Sequence, residues 1–231
     1  MEPDRQPDRP VPWGLREVIV GVMIAGLVVL LLSLGVAGLD AHWGIGLGVL
    51  TIISVIVLGV VLVGTALLLG PWRHKSSLRT LGLGLYASRL NLLLALMVFG
   101  GSLAFNLLYV QVVTALGWEG LLPPDVVKEI GLEGGMYVVG AFVIVLIGPF
   151  SEEVFFRAFL FPGLAGRVGW IGAGAVSAAL FAVSHGSFGV MIPAFFTGGL
   201  LAWLYWRTGS LWPCLLAHAA QNAVALAASG L

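Results

Sequence analysis

The chain has 231 residues, of which 59% are hydrophobic and only 10% are charged. A typical soluble domain has about 25% charged residues, so the composition excludes a water-soluble globular protein. The formal net charge is zero without a long basic tract, which argues against a nucleic-acid partner, and the single cysteine, Cys214, excludes an internal disulfide and a thiolate metal site.

Apolar windows of about 20 residues predict an all-α, polytopic transmembrane bundle of about seven helices. The predicted spans are 15–38, 43–70, 91–117, 136–161, 170–185, 188–206 and 211–229. The segment before the first span is too long and too mixed in charge for a secretory signal, so we expect an uncleaved first helix. Residues 1–12, rich in Pro, Asp and Arg, are expected to form a disordered tail.

Lysine and arginine residues fall almost entirely in one set of connecting segments. With the intramembrane Arg157 set aside, ten remain, and only Lys128 lies in the opposite set of connections. Because basic connections stay on the cytoplasmic side, we expect a cytoplasmic N-terminus and an outer C-terminus in the plasma membrane. Residues 118–135, which contain a Pro-Pro pair, are expected to form a short interfacial helix on the outer side.

Three of the predicted spans contain side chains that are costly in lipid. An ionised group near the bilayer centre costs about 2.5–3.5 kcal/mol on insertion scales, so such residues are functional candidates by default. They are Glu152, Glu153 and Arg157 in the fourth span, His185 at the end of the fifth, and His218 and Asn222 in the seventh. Three helices thus bring hydrogen-bonding groups into the bundle.

The spacing of these residues assigns them different chemistry. Glu153 and Arg157 are four residues apart, so they share a helix face in the favourable acid-to-base order. Glu152 is rotated by about 100° from Glu153 and is left as the free carboxylate, which suits a general base. His218 and Asn222, also four apart, can donate to a carbonyl oxygen as negative charge develops on it. Together these groups predict hydrolysis of an amide by activated water.

Simpler structural roles stay open for each group taken alone. A Glu–Arg pair can serve only to join helices, and a lone His or Asn in a membrane helix commonly makes an interhelical hydrogen bond. A second, unpaired Glu beside the pair, with two His and an Asn on other helices, favours a functional site.

Three motifs follow one another in the second half of the chain. "EEVFFR" at 152–157 fits EExxxR, "FAVSH" at 181–185 fits FxxxH, and "HAAQN" at 218–222 fits HxxxN. With these motifs, residues 145–225 resemble the CAAX-protease and bacteriocin-processing family of intramembrane endopeptidases. The resemblance implies an all-helical membrane fold and proteolysis that depends on glutamate.

The same resemblance implies roles for individual residues. Glu152 and His185 would activate water, and His218 and Asn222 would stabilise the oxyanion. Glu153 and Arg157 would form a supporting ion pair, and Phe181 is the aromatic residue of the second motif. We therefore divide the chain into the tail, a region of N-terminal helices at 13–135 and a catalytic core at 136–231.

Two alternatives stay open at this point. Glu152, His185 and His218 also provide the His₂Glu set of some catalytic zinc sites, although the expected mechanism needs no cofactor. A non-enzymatic immunity, scaffold or transport protein could use the same polar groups for binding. The expected partners of the favoured peptidase are the lipid bilayer and a membrane-associated or lipidated peptide or protein substrate.

Depth along the helices raises a conflict. If the fourth span ends near Gly163, Glu152 lies about 16 Å from the cytoplasmic end, whereas His185 lies about 22 Å from Trp170 at 1.5 Å per residue. A tilted helix or a displaced helix boundary could bring both residues to mid-depth. We expect the site to open to the cytoplasmic side.

Overall fold

The computed structural model describes residues 11–84, 88–125, 128, 131 and 133–229. The predicted disordered tail lies outside the described residues except for Val11 and Pro12. The same holds for five positions of the predicted outer interfacial segment, at 126, 127, 129, 130 and 132. Within that segment, Glu119–Leu121 forms a single 3-10 turn.

Six long helices account for most of the described chain. They are α1 (Leu15–Trp43), α2 (Leu47–Trp72, whose last turn is π-helical), α3 (Arg89–Ala115), α4 (Gly134–Ser184), α5 (Phe188–Thr208) and α6 (Leu211–Ala228). All six are long and apolar enough to cross a membrane. The predicted all-α bundle is confirmed over the described residues, and the chain is an integral membrane protein.

Helix α4 is twice as long as a membrane-spanning helix because the chain reverses inside it. Gly169 has φ 71° and ψ 168°, a conformation that is open to glycine but strained for other residues. Beyond it the chain folds back, since Ser177 Oγ donates to the carbonyl of Phe156 at 3.0 Å. We call residues 134–168 the long arm of α4 and residues 170–184 its short arm. These two arms correspond to the fourth and fifth predicted spans, so the expected number of about seven agrees with the structure.

This reversal also removes the conflict in depth. The long arm does not end near Gly163 but continues to Val168. Glu152 and His185 are therefore separated from Gly169 by nearly equal lengths of helix, about 25 Å along each arm at 1.5 Å per residue. A displaced helix boundary, one of the two expected explanations, therefore accounts for the conflict in depth.

The segment before α1 is fixed to the long arm by one tryptophan. Trp13 is 3% exposed, and its Nε1 donates to the carbonyl of Phe159 at 2.9 Å. The two rings also stack with centroids 6.1 Å apart. Gly163 allows this approach, because a Cβ there would lie 3.0 Å from Cδ1 of Trp13 and 2.7 Å from Cγ2 of Val18. The N-terminal helices therefore share one hydrophobic core with α4, and the predicted division at residue 135 stays a prediction.

One end of the bundle collects the segments that the sequence places on the cytoplasmic side. Val11, Arg79, Arg167 and Gly209 line a common cavity, although they come from four separate parts of the chain. The grouping of basic connections at one end is thus present in the structure. That this end faces the cytoplasm stays a prediction.

Close packing of α5 on the short arm depends on one of two adjacent glycines. A Cβ at Gly198 would lie 3.1 Å from both Cα of Ala178 and Cδ1 of Phe181, whereas a Cβ at Gly199 would meet no atom within 4 Å. We predict that Gly198→Val lowers the free energy of unfolding by about 1–3 kcal/mol, because overpacking forces the helices apart. Gly199→Val is the matched control and should change it little. Thermal unfolding in detergent measures both, and equal stabilities would contradict the assigned contact.

Candidate active site

A buried ion pair joins the last residue of an α-helical stretch of α4, Glu153, to Arg157 in the π-helical stretch Val154–Leu160 that follows. Arg157 Nε lies 3.3 Å from Glu153 Oε2, and both side chains are 0% exposed. Arg157 Nη2 also donates to the carbonyl of Gly198 on α5 at 3.3 Å. Because a buried charge without a partner is strongly destabilising, these contacts fix the long arm of α4 against α5.

Phe181, from the second motif, forms a surface shared by three polar side chains. The guanidinium of Arg157 lies 4.4 Å from the centroid of its ring, a cation–π distance. The imidazoles of His185 and His218 pack against the same ring edge-to-face, with centroids 4.7 Å and 5.5 Å away. Phe181 and His185 of the FxxxH motif therefore lie between Arg157 of the EExxxR motif and His218 of the HxxxN motif.

His218 lies between the two glutamates. Its Nδ1 is 2.9 Å from Glu153 Oε1, and its Nε2 is 3.6 Å from Glu152 Oε2. Since Glu153 is paired with Arg157 and accepts hydrogen bonds, Nδ1 of His218 is the donor. Nε2 then faces Glu152. The imidazole is 4% exposed, so its orientation is fixed by packing as well as by Glu153.

The two glutamates differ in their access to the surroundings. The side chain of Glu152 is 26% exposed, whereas that of Glu153 is fully buried. Glu152 is therefore the carboxylate that an incoming molecule can reach. Its spacing from Arg157 suggested a carboxylate without a partner. In the structure, however, Glu152 faces His218. No ion pair links it to His185 in the described structure.

His185 ends the short arm and is exposed. Its Nδ1 lies 2.8 Å from the carbonyl of Phe181. A carbonyl oxygen only accepts hydrogen bonds, so Nδ1 carries the proton and Nε2 of the neutral ring has a free lone pair. His185 therefore reaches the cluster through the Phe181 ring rather than through a carboxylate.

Asn222 contacts the backbone of α4 rather than the glutamates. Its Nδ2 donates to the carbonyl of Ile144 at 3.0 Å. This carbonyl lies in the π-helical turn Val143–Ile147, where the N–H of Gly148 bonds to the carbonyl of Val143. The next residue, Pro149, has no N–H to continue the pattern. The Ile144 carbonyl therefore lacks a backbone donor, and the side-chain amide of Asn222 donates to it instead. The second N–H of the Asn222 amide stays available to another acceptor.

The alternative of a zinc site requires Glu152, His185 and His218 to meet at one point. Among the described residues, which include Glu152, His185 and His218, no three His, Cys, Asp or Glu side chains are grouped as metal ligands. His218 uses one nitrogen for Glu153 and turns the other to Glu152.

A second group of polar side chains near the site was missed in the sequence. Gln221 Nε2 donates to Thr197 Oγ1 at 3.3 Å, and Thr197 shares a hydrogen bond with Ser102 of α3. Ser102 and Thr197 are buried. Their position within predicted spans was the signal that could have identified them. Because Ser, Thr and Gln are uncharged, however, they resemble residues that form ordinary hydrogen bonds between membrane helices. They join α3, α5 and α6 beside His218.

The comparisons with known proteins agree with the motifs. Residues 134–224 match the family described as "Type II CAAX prenyl endopeptidase Rce1-like". The curated protein "Putative membrane peptidase YdiL" of Bacillus subtilis (strain 168) is 29% identical over 98 residues, which are 42% of this chain and 37% of that relative. No solved structure matches the chain. The predicted resemblance to the CAAX-protease and bacteriocin-processing family is thus confirmed.

We predict that Arg157→Met lowers the free energy of unfolding by about 3–5 kcal/mol, because Glu153 keeps a buried charge that has lost its cation. Adding Glu153→Gln to this variant should recover part of the loss, since it removes the unpaired charge. Thermal unfolding of both single variants and the double variant gives the coupling energy. Purely additive losses would show that the pair is energetically unimportant.

Proposed function

We propose that the chain is an intramembrane endopeptidase that hydrolyses a peptide bond in a membrane-associated or lipidated protein by water that Glu152 activates. One observation carries the proposal: the accessible carboxylate of Glu152 faces His218, which is itself held by the buried Glu153–Arg157 pair. Similarity of residues 134–224 to Rce1-like endopeptidases supports the same reaction class.

The first step places a water molecule beside Glu152. The distance of 3.6 Å between Glu152 Oε2 and His218 Nε2 is longer than a direct hydrogen bond, which suits two groups that both bind reactants. Glu152 takes a proton from the water, whose oxygen attacks the carbonyl carbon of the scissile bond. Such proton transfer contributes typically 10²- to 10⁴-fold to the rate.

The second step stabilises the tetrahedral intermediate. With Nδ1–H of His218 donated to Glu153, a protonated ring presents Nε2–H to the oxyanion. The remaining N–H of Asn222 is the second candidate donor from the same helix face. Before the attack, the carboxylates of Glu152 and Glu153 balance the imidazolium of His218 and the guanidinium of Arg157. In the intermediate, the oxyanion takes the place of the negative charge that Glu152 lost with the proton from water, so the cluster stays neutral as a whole.

Collapse of the intermediate completes the reaction. Protonated Glu152 gives its proton to the departing amine nitrogen as the carbon–nitrogen bond breaks. The products are a carboxylic acid and an amine, which become a carboxylate and an ammonium ion when the acid passes its proton to the amine, and Glu152 returns to its starting state. His185, exposed and with an unprotonated Nε2, is the second base that the family motif implies for the water.

The supporting residues act through His218 in this scheme. Glu153 fixes which nitrogen of His218 carries the first proton, and Arg157 supplies the opposite charge that holds the Glu153 carboxylate in place. Both are positioning residues, since neither is exposed. Phe181 holds Arg157 and both imidazoles in place through contacts with its ring.

A substrate anchored in the bilayer fits the surroundings of the site, because the cluster lies among apolar helices. The Rce1-like description names prenylated CAAX termini as a substrate class, and a prenylated peptide is therefore the first probe. The same peptide without the prenyl group tests whether the lipid is needed.

We predict that Glu152→Gln lowers cleavage at least about 10²-fold, because the amide cannot accept a proton from water. Mass spectrometry measures cleavage of the prenylated peptide and of the same peptide without the prenyl group. It also detects newly formed C-termini among the membrane proteins of the host. Glu119→Gln, in an exposed turn, is the control and should behave as wild type. Unchanged cleavage by the Glu152 variant would contradict its role as base, and absence of any cleavage that depends on the wild-type protein would contradict the peptidase assignment.

The cofactor-free mechanism gives a separate prediction. Chelators should leave cleavage unchanged, and purified protein should bind far less than one zinc ion per chain. If instead Glu152, His185 and His218 are ligands, metal removal should stop hydrolysis and added zinc should restore it. Metal content measured alongside activity decides between the two, and restoration by zinc would overturn the glutamate mechanism.

A further inference from the structure

A large cavity lies at the basic end of the bundle, apart from the glutamate–histidine cluster. Its volume is about 770 Å³, and its lining comes from the segment that leads into α1, the connection after α2, the end of the long arm of α4 up to Gly169, and the end of α5. No residue of the cluster belongs to the lining. The proposed peptidase mechanism therefore does not account for this cavity.

The cavity has an excess of positive charge. Arg79 and Arg167 both line it and are exposed. In the described part of the chain, neither guanidinium forms an ion pair with a carboxylate. Glu17 is the only acidic residue in the described segments 11–17, 72–84, 161–170 and 205–211, and it already faces Arg73 and His74. An anion in the cavity would find two cations without competing carboxylates.

The rest of the lining is apolar and aromatic. Trp13, Phe161, Tyr205 and Trp206 contribute ring surface, and Trp206 stacks on Trp170 with centroids 4.3 Å apart. Tryptophan and tyrosine collect where hydrocarbon meets the headgroup layer of a bilayer. The cavity is therefore placed at headgroup depth, where it can hold a charged group and the less polar region attached to it.

We propose that this cavity binds the headgroup of an anionic phospholipid, with the phosphate between Arg79 and Arg167 and the glycerol region against the aromatic side chains. Arginine suits this role because its planar donors match phosphate oxygens. The cytoplasmic leaflet, which the basic end is expected to face, contains the anionic lipids. The lipid would join the N-terminal segment, α4 and α5 at their common end.

The test uses the full-length protein, purified in detergent and stripped of lipid. Equal amounts of phosphatidylglycerol and phosphatidylcholine are added, and bound lipid is counted by native mass spectrometry. Wild type is compared with the double variant Arg79→Gln/Arg167→Gln. The matched control is Arg89→Gln/Arg207→Gln, which removes the same charge from exposed positions at the same end without altering the lining.

The expected result is preferential retention of phosphatidylglycerol by wild type and by the control. The cavity variant should retain about 30-fold less, as loss of two cations near a lipid phosphate implies at about 1 kcal/mol each, with unchanged thermal unfolding in the absence of lipid. Equal losses in both double variants would show unspecific surface attraction and overturn the proposal. Equal retention of the two lipids would overturn it as well. Displacement of the lipid by an equal concentration of inorganic phosphate would assign the cavity to a soluble anion and also overturn it.

Discussion

The burial of one guanidinium constrains the C-terminal half of the molecule. Arg157 is 0% exposed, so every one of its favourable contacts must come from protein. Glu153 supplies the opposite charge, the carbonyl of Gly198 a hydrogen-bond acceptor, and Phe181 an aromatic face. These partners lie on both arms of α4 and on α5, and His218 on α6 joins through Glu153. Satisfying one charge therefore positions four helical segments and orients the imidazole beside Glu152.

The contacts within one helix could be predicted from the sequence, because helix geometry alone determines them. Four-residue spacing was enough to place Arg157 on the face of Glu153, and hydropathy was enough to locate the spans. The contacts between helices could not be predicted in the same way. Which carboxylate each imidazole meets depends on the rotation of α6 against α4, so the pairing of His218 with both glutamates appeared only in the structure. The resemblance to a family named the residues but did not provide this arrangement.

Backbone irregularity explains the other differences from the sequence analysis. A window of hydropathy does not distinguish Gly169 from the glycines around it, although this residue reverses the chain and brings Glu152 and His185 to one depth. Similarly, the spacing of His218 and Asn222 indicates a common face but not that Asn222 binds the carbonyl of Ile144. That contact follows from a proline just after a π-helical turn, where the usual helical hydrogen bond is missing.

The hairpin formed by the two arms of α4 also bears on how the chain enters the membrane during synthesis. Glu153 and Arg157 are neighbours on one helical turn, so they can neutralise each other as soon as that turn forms. The short arm follows directly in the chain and brings Ser177 and Phe181 onto the same turn. The most polar segment can thus leave the insertion machinery already covered on one side. Helices α5 and α6 then close around a neutral pair rather than around two isolated charges.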